Sequence, residues 1–467
     1  MNIKLKRTAM MAIISTVLFG YGTNAMADPT ADLIRTLVEK GILTEEEALP
    51  LLQSLANNEK SAVEEEKVVA EEAKSRATVD IGKKGLVVTS ADDEYSMAIG
   101  GRLHVEAMGH SNDQDLTRGA TDGTDIRRAR MYIKGKAAKD WKYMIEADLA
   151  GNKVSMKDVL GVYTGVKDWD FTFGAQKHAM SMEVQESTND IMFTERGLTY
   201  ALTTPYFDRA LGINAKMKGD NWNVQAGYYG DQFAPESSGD VDEGYGYAIR
   251  GTWNPIWDKS AGNMVHLGAN YGLRAVSNQT NKISGGGKGD FSYETTNGSN
   301  LKLLDTPDII GLDEVKVGVL ELAAMHGPLS FQAEYAKADV EATQDYDFTA
   351  WYANVGYTLT GEYRSYNPQD GEFKRLKPKS NFSLNNGTWG AWELAARLDQ
   401  LDLNDSNVLG GDGKRYTFAL NWYLNYNFRI MADYSRIYDI TDGPVTKLDG
   451  GDADDIDTFT LRAQWAF

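Results

Sequence analysis

The chain has 467 residues, with 67 acidic against 48 basic side chains, a formal charge of −19 and no cysteine. Bulk charge of that sign excludes nucleic acid and anionic lipid as electrostatic partners, and an exported chain without cysteine is held together by its fold alone. Beyond the first apolar run no stretch approaches the ~20 residues of a spanning helix, so any passage through a membrane is by a closed barrel.

Residues 1–27 read as a secretory signal peptide. Lys4, Lys6 and Arg7 precede the apolar core "TAMMAIISTVLFGYG", and the small residues Ala25 to Ala27 precede Asp28. Losing those three cations takes the charge from −19 to −22. Residues 28–76 are helical in pattern: Leu33, Ile34, Leu37 and Val38 share a face, Gly41 stops the run, and Thr44 with Glu47 forms a capping box for a second helix. The charged stretch "NNEKSAVEEEKVVAEEAKS" then fits a short periplasmic coiled coil, or equally a solvated helix or linker, because its apolar heptad positions are few.

From residue 77 to 467 the texture is that of short alternating segments, among them "MAIGGRLHVEAM", "WKYMIEADLA", "WNVQAGYY" and "WELAARL". Tight turns at 137–140, 218–221, 326–328 and 425–427 alternate with long polar connections such as "SNQTNKISGGGKGDFSYETTNGSN" and "DLNDSNVLGGDGKR". Short turns at one end and long loops at the other are what an outer-membrane barrel requires. The expected fold is therefore all-β, a transmembrane antiparallel β-barrel of about sixteen strands preceded by the helical periplasmic segment. Parity along the last strands makes "LNDSNVLGGDGK" an external loop and brings the C-terminus to the periplasmic side, where the N-terminal helices also lie. The closing strand "TFTLRAQWAF" carries Phe459, Leu461, Ala463, Trp465 and Phe467 on one face and Thr460, Arg462 and Gln464 on the other.

The segment "DIRRARMYIKGKAAKD" constrains the pore most. With Ala129, Met131 and Ile133 toward lipid, Arg128, Arg130, Tyr132, Lys134 and Lys136 face the lumen and Arg127 lies beside them, because a cation on the lipid side would cost ~2–4 kcal/mol at mid-bilayer. The same parity adds Arg102, His104, Lys142, Lys216, Lys218, Arg250, Arg274, Arg397 and Arg429. Such a row of permanently charged planar donors suits small anions such as phosphate. The same faces carry Glu106, Glu146, Asp148, Glu334, Glu393, Asp399 and Asp433, so cross-strand ion pairing in a weakly selective channel is the competing reading. The long connection between the strands at Phe171 and Leu211 is expected to fold inward as a constriction, with Glu195, Arg196 and Arg209 meeting the permeant ion; an external flap is the alternative.

Several of these stretches resemble a known family. "DIRRARMYIKG", "STNDIMFTERGL", "YTLTGEYRSYN", "GAWELAARLDQLDLND" and "FALNWYLNYNFRIMADYSRI" are similar to the phosphate-selective porins O and P of Gram-negative outer membranes, and "VEKGILTEEEALPLL" resembles the helical extension of many relatives. The resemblance implies a sixteen-stranded homotrimeric porin with an arginine-lined lumen and a constriction loop, passing phosphate or related anions. Arg127, Arg128 and Arg130 match its arginine-rich stave, and Glu195 and Arg196 its "ERS"-like motif, here "ERG". Phe467, with Trp465 beside it, resembles the insertion signal read by the barrel-assembly machinery, and outer-membrane lipid surrounds such a protein. An acidic chain is a departure that leaves the solute open between phosphate, other anions and a general or cation-preferring porin.

Rival classes are weaker on the residues. The five histidines fall in no nucleophile motif, so no enzyme is expected, and no cofactor or metal is implied; "GGDADDID" lacks calcium-ligand spacing and reads as a solvated loop. A structural protein tethered to the periplasm by its N-terminal helices is the alternative from another class.

Overall fold

Strict alternation of outward apolar and inward polar residues makes successive strands curl into a closed wall, and a computed structural model shows that wall. It describes residues 29–74, 76–82, 85–230, 244–276, 291–296, 298–453 and 455–467. The signal peptide expected over residues 1–27 lies outside the described residues, as do 231–243 and 277–290 of two long connections.

Two compact units divide near Arg76. In the first, helix α1 (Pro29–Glu39) ends at Gly41, whose φ of 67° reverses the chain, and helix α2 (Glu45–Lys74) follows. The capping box forms reciprocally: Thr44 N–H donates to Glu47 Oε2 (2.9 Å) and Glu47 N–H to Thr44 Oγ1 (3.3 Å). Hydrogen bonds from the Thr44 backbone and hydroxyl hold the Glu47 carboxyl below its ordinary range. No described helix is long and apolar enough to cross a membrane.

The second unit contains the strands. A hairpin of β1 (Thr78–Gly82) and β2 (Gly85–Thr89) precedes β3 (Tyr95–Ser111), β4 (Gly123–Ala137), β5 (Trp141–Asp148), β6 (Ser155–Tyr163) and β7 (Trp169–Lys177). After a long connection come β8 (Arg209–Lys218), β9 (Trp222–Gly230), β10 (Tyr245–Asp258) and β11 (Asn263–Ala275), then a small hairpin of β12 (Ser292–Glu294) and β13 (Lys302–Asp305). The wall resumes with β14 (Glu314–His326), β15 (Leu329–Glu341) and β16 (Tyr346–Thr358). A second small hairpin, β17 (Ser365–Asn367) and β18 (Glu372–Lys374), leads to β19 (Ala391–Asp405), β20 (Val408–Tyr423), β21 (Phe428–Thr441) and β22 (Ile456–Ala466).

Pairing of β22 with β3, from Asp457↔Ser111 to Ala466↔Arg102, closes sixteen antiparallel strands into a barrel. Along β22, Phe459, Leu461 and Trp465 are exposed outward while Thr458, Thr460, Arg462 and Gln464 are buried inward. Aromatic rings belt the outside at two levels. Trp141 meets Tyr163 (centroids 4.8 Å), Trp392 meets Trp422 (5.0 Å) and Phe428 meets Trp465 (5.8 Å) near the short turns. Tyr228 with Tyr247 (5.1 Å) and Tyr416 with Tyr438 (5.7 Å) lie toward the long loops. Two such belts flanking an aliphatic band match the two interfaces of a bilayer.

Two expectations change here. Residues 78–89 are not part of the ring: beyond its own hairpin with β1, β2 pairs only with the start of β3, Leu86↔Ile99 to Thr89↔Ser96. That stretch of β3 has no other partner on this edge because Phe467 ends the closing strand opposite Gly101, exchanging backbone hydrogen bonds of 2.9 and 3.0 Å. Nor is "LNDSNVLGGDGK" a loop. The β19–β20 hairpin runs on through it to Asp405↔Val408, turning at Ser406 and Asn407, with Ser406 at φ 55°. Its Gly and Asn residues mark a bulge between Asp402 and Asn404 rather than the end of pairing.

The interior at the loop end is packed. Val315, Val317, Phe348, Leu401, Leu403 and Ile437 point inward and bury Phe291, Leu301, Leu303 and Leu304 of the β11–β14 connection. Leu198, Leu202, Tyr206 and Phe207 of the β7–β8 connection join the same cluster. Three connections thus occupy the barrel: 178–208 and the described part of 276–313 from the loop end, and 359–390 from the turn end.

Candidate functional site

The basic stave is β4, and a bulge sharpens it. Its register with β3 slips between His104↔Arg128 and Val105↔Ile126, so Arg127 is the extra residue. Arg127 and Arg128, neighbours that strict alternation would send to opposite faces, both turn inward toward Glu195. Arg127 makes a bidentate contact with that carboxylate (Nε–Oε1 2.7 Å, Nη2–Oε2 3.3 Å), Arg462 Nη2 approaches to 3.2 Å and Arg128 Nη1 to 3.8 Å. Burial pushes the Glu195 carboxyl up, but Arg127, Arg128 and Arg462 outweigh it and hold the group well below the usual carboxylate range.

The inward acids do different work. Some pair with arginines of β3, β4 and β22: Glu146 with Arg102 (2.8 Å) and Arg130 (3.1 Å), Asp148 with Arg130 (2.7 Å), and Glu106 with Arg462. Glu393 pairs with Arg364 (3.3 Å). Others hold loops by their backbones. Glu334 accepts from Met182 N–H (2.7 Å) and Ser181 Oγ–H (3.1 Å), Asp433 from Thr194 N–H (2.7 Å), and Asp399 from Leu198 N–H (3.1 Å).

The 178–208 connection, with short helices α3 (Met182–Gln185) and α4 (Thr199–Phe207), therefore lies inside the barrel. Wall arginines clamp its carbonyls: Arg397 donates to Glu195 O (3.0 Å), Arg415 to Arg196 O (3.0 Å) and Arg429 to Ile191 O (2.8 Å). Burial raises the Glu186 carboxyl of this loop to about 8. Of the three residues expected to meet an ion here, only Glu195 keeps an accessible charged group, its side chain 29% exposed. Arg196 turns back onto Glu183 O (2.8 Å) and Glu186 O (2.7 Å) and stacks over Tyr200, bracing the loop. Arg209 begins β8 and is taken up by Asp158 (2.9 Å) and Asp208 (3.0 Å).

Arg250 and Arg274 also depart from expectation. Both face inward but have no accessible surface. Arg250 is bidentate to Glu321 and donates to Asp370 O (3.0 Å) and Gly371 O (2.7 Å). Arg274 donates to Gly230 O (2.7 Å), and its Nη2 lies 2.8 Å from His178 Nε2. They fasten loops to the wall because each carries more donors than one carboxylate can use.

An open space lies along β3–β6. A cavity of about 1450 Å³ occupies the turn end, with Ser187, Asn189 and Asp190 of the inward loop at its far limit. Arg102, Lys134, Lys136 and Lys142 line it from the wall, and Lys374, Arg375, Lys377 and Lys379 line it from the 359–390 connection. With Lys259 and Arg364 that makes ten basic side chains against two acidic ones, Asp190 and Glu362; Arg102, Arg364, Lys374 and Arg375 are paired with Glu146, Glu393, Glu372 and Asp190, and the remaining six cations leave the cavity positive inside a chain of charge −19. Among the described residues no group of three or more His, Cys, Asp or Glu side chains could hold a metal.

The phosphate-selective porin O and P family profile matches residues 97–467, nearly the whole barrel. The chain belongs to this family. Porin O of Pseudomonas aeruginosa is 30% identical over 420 residues, covering 82% of this chain and 91% of that protein. An uncharacterised protein of Caulobacter vibrioides is 29% identical over 364 residues, covering 75% of this chain and 69% of its own length. Among solved structures, a loop L8 deletion mutant of OmpT, an outer-membrane protein of Vibrio cholerae, superposes with TM-score 0.50 at 13% identity, covering 80% of this chain and all of that one, a likeness of fold. The protein is thus a Gram-negative outer-membrane porin, a channel and not an enzyme.

The porin's "ERG" has a local cause. A Cβ at Gly197 would stand 2.7 Å from the Tyr352 ring, and Gly197 N–H donates to Glu183 Oε1 (2.8 Å), so a serine there would force Tyr352 aside. The sequence reading missed Arg462 as a site residue, although inward parity along "TFTLRAQWAF" marks it. It also missed the porin's whole 359–390 connection, a 32-residue turn-end insertion that breaks the short-turn rule and carries Arg364, Lys374, Arg375, Lys377 and Lys379 in "EYRSYNPQDGEFKRLKPK".

Proposed function

We propose that this porin prefers anions, inorganic phosphate among them, and draws them through the positive turn-end cavity toward the arginines around Glu195. The observation that carries this reading is the lining of ten basic side chains against two acidic ones. It is supported by the cluster at Glu195, where Arg127, Arg128 and Arg462 face two carboxylates, Glu195 and Glu106, and leave an excess of positive charge. A second reading, a weakly selective porin, draws on the pairing of Arg102 and Arg130 with Glu146 and Asp148. The reversal potential of the purified protein in a planar bilayer under a potassium chloride gradient separates them. Anion selectivity, with chloride current blocked by millimolar phosphate and the block weakened by Lys134→Gln, Lys136→Gln and Lys377→Gln together, is the expected result; a potential near zero or on the cation side would favour the second reading.

Phe467 serves, on this reading, both as a signal to the assembly machinery and as a structural latch. Its backbone pairs with Gly101, its carbonyl accepts from Tyr132 Oη (3.1 Å) and its ring stacks on Trp465 (centroids 4.4 Å). Deleting Phe467 is expected to lower the amount of folded protein in the outer membrane, and an unchanged amount would remove the role. We also propose a homotrimer in outer-membrane lipid with both termini periplasmic, and residues 28–76 as a periplasmic segment joining the copies. The native mass of the full chain and of a chain lacking 28–76 tests that arrangement.

A further inference from the structure

We propose that the turn-end cavity is fitted to organic anions with an apolar body, an aryl or alkyl phosphonate, sulfonate or carboxylate, in preference to inorganic phosphate. The inference rests on the anion preference proposed above and names the solute class. It comes from three side chains in the wrong place for a simple ion path.

Met144, Leu160 and Val162 face the lumen. They share the inward face of β5 and β6 with Glu146, which is bonded to Arg102 and Arg130, whereas Trp141 and Tyr163 of the same strands stack on the outside. All three line the cavity and are half-buried, so the wet wall carries an apolar strip where any polar residue would be better hydrated.

The strip is set in register with cations. Across β4, β5 and β6 one row reads Lys134, Met144, Leu160, and the next reads Lys136, Lys142, Val162. Each row passes from charge to hydrocarbon within one or two strand spacings, roughly 5–10 Å. That is the span between an anionic head and the far edge of an aromatic ring or a short alkyl chain. A hydrated phosphate gains nothing from Met144, Leu160 and Val162 and meets them as an obstacle, since apolar walls disfavour water and ions. An amphipathic anion places its charge at Lys134 or Lys142 and removes apolar surface from water on both itself and the wall. The opposite side of the cavity repeats the theme, with Arg375 over Tyr426 (5.0 Å to the ring centroid) and Trp257 beside Lys259.

The test compares phenylphosphonate with inorganic phosphate as blockers of chloride current through the full-length protein in a planar bilayer. We expect half-block by phenylphosphonate at a concentration at least tenfold lower. Met144→Gln, Leu160→Gln and Val162→Thr together should bring phenylphosphonate down to the level of inorganic phosphate; Met144→Gln alone should remove part of the advantage and serves if the triple variant folds poorly. Equal block by the two anions in the unaltered protein, or an advantage that survives in the variants, would overturn the inference while leaving the anion reading standing. A cation-side reversal potential with no block by either anion would overturn both.

Discussion

Replacing Glu195 with glutamine should raise the anion-over-cation permeability ratio roughly threefold to fivefold. Glu195 is the carboxylate on which Arg127, Arg128 and Arg462 converge, and it is the accessible acid of the cluster. Removing its charge leaves those three arginines against Glu106, which remains on Arg462. One added unit of positive charge seen by an ion ~5 Å away through wet lumen is worth about 1 kcal/mol, which sets the expected ratio. Glutamine keeps the side chain's length and one acceptor for Arg127, so the loop stays clamped through its backbone by Arg397 and Arg415. The sign with pH follows from the same contacts. A carboxyl held below its ordinary range contributes stability above the unfolded value and loses it as pH falls through the lowered one, so selectivity between pH 7 and 5 should owe nothing to Glu195 titration. Reversal potentials of both proteins at those pH values check this, and an unchanged ratio in the variant would place the selective step elsewhere.

The prediction depends on a residue that sequence reading found and on partners it could only half find. Glu195 stood out because it lies in a connection too long to be idle, and Arg128 because period-two alternation aimed it inward. Arg127 could be placed only beside that face, since a bulge shifts pairing by one residue and no local pattern in "DIRRARM" announces it. The barrel, its strand order and the inward loop were legible because lipid outside and water inside impose a period that survives in every strand. What alternation does not encode is which inward charge is already satisfied. Arg250, Arg274, Arg397 and Arg415 have the same parity as Arg102, yet they are spent on loop carbonyls and carboxylates contributed by segments remote in sequence. The 359–390 connection escaped notice for a related reason: the rule of short turns hides a turn that folds into the lumen.

That connection supplies the second large effect. Glu321→Ala should destabilise the barrel by about 3–5 kcal/mol, since it strands Arg250 as an unpaired charge at a site without solvent. Glu321 accepts from Arg250 Nε (2.8 Å) and Nη2 (2.7 Å) and from Asn270 Nδ2 (2.7 Å), and its Oε2 lies 3.0 Å from His266 Nε2, so one carboxylate joins β10, β11 and β14. Urea unfolding in detergent micelles, read as loss of the heat-modifiable form on gels, measures the cost. A double variant, Arg250→Met with Glu321→Leu, separates the ion pair from what it holds. With both charges gone, no buried ion is left unpaired, and apolar replacement of such pairs is commonly neutral or favourable. The wall should therefore recover most of its stability, while Asp370 O and Gly371 O lose the donors that fix the 359–390 connection. That connection carries half of the cavity's cations, so the double variant should regain most of the barrel's stability yet show noisier current and weaker phosphate block. Recovery of stability with quiet, fully blocked channels would mean that His266, whose Nδ1 lies 2.6 Å from Tyr366 Oη, suffices to hold the connection in place.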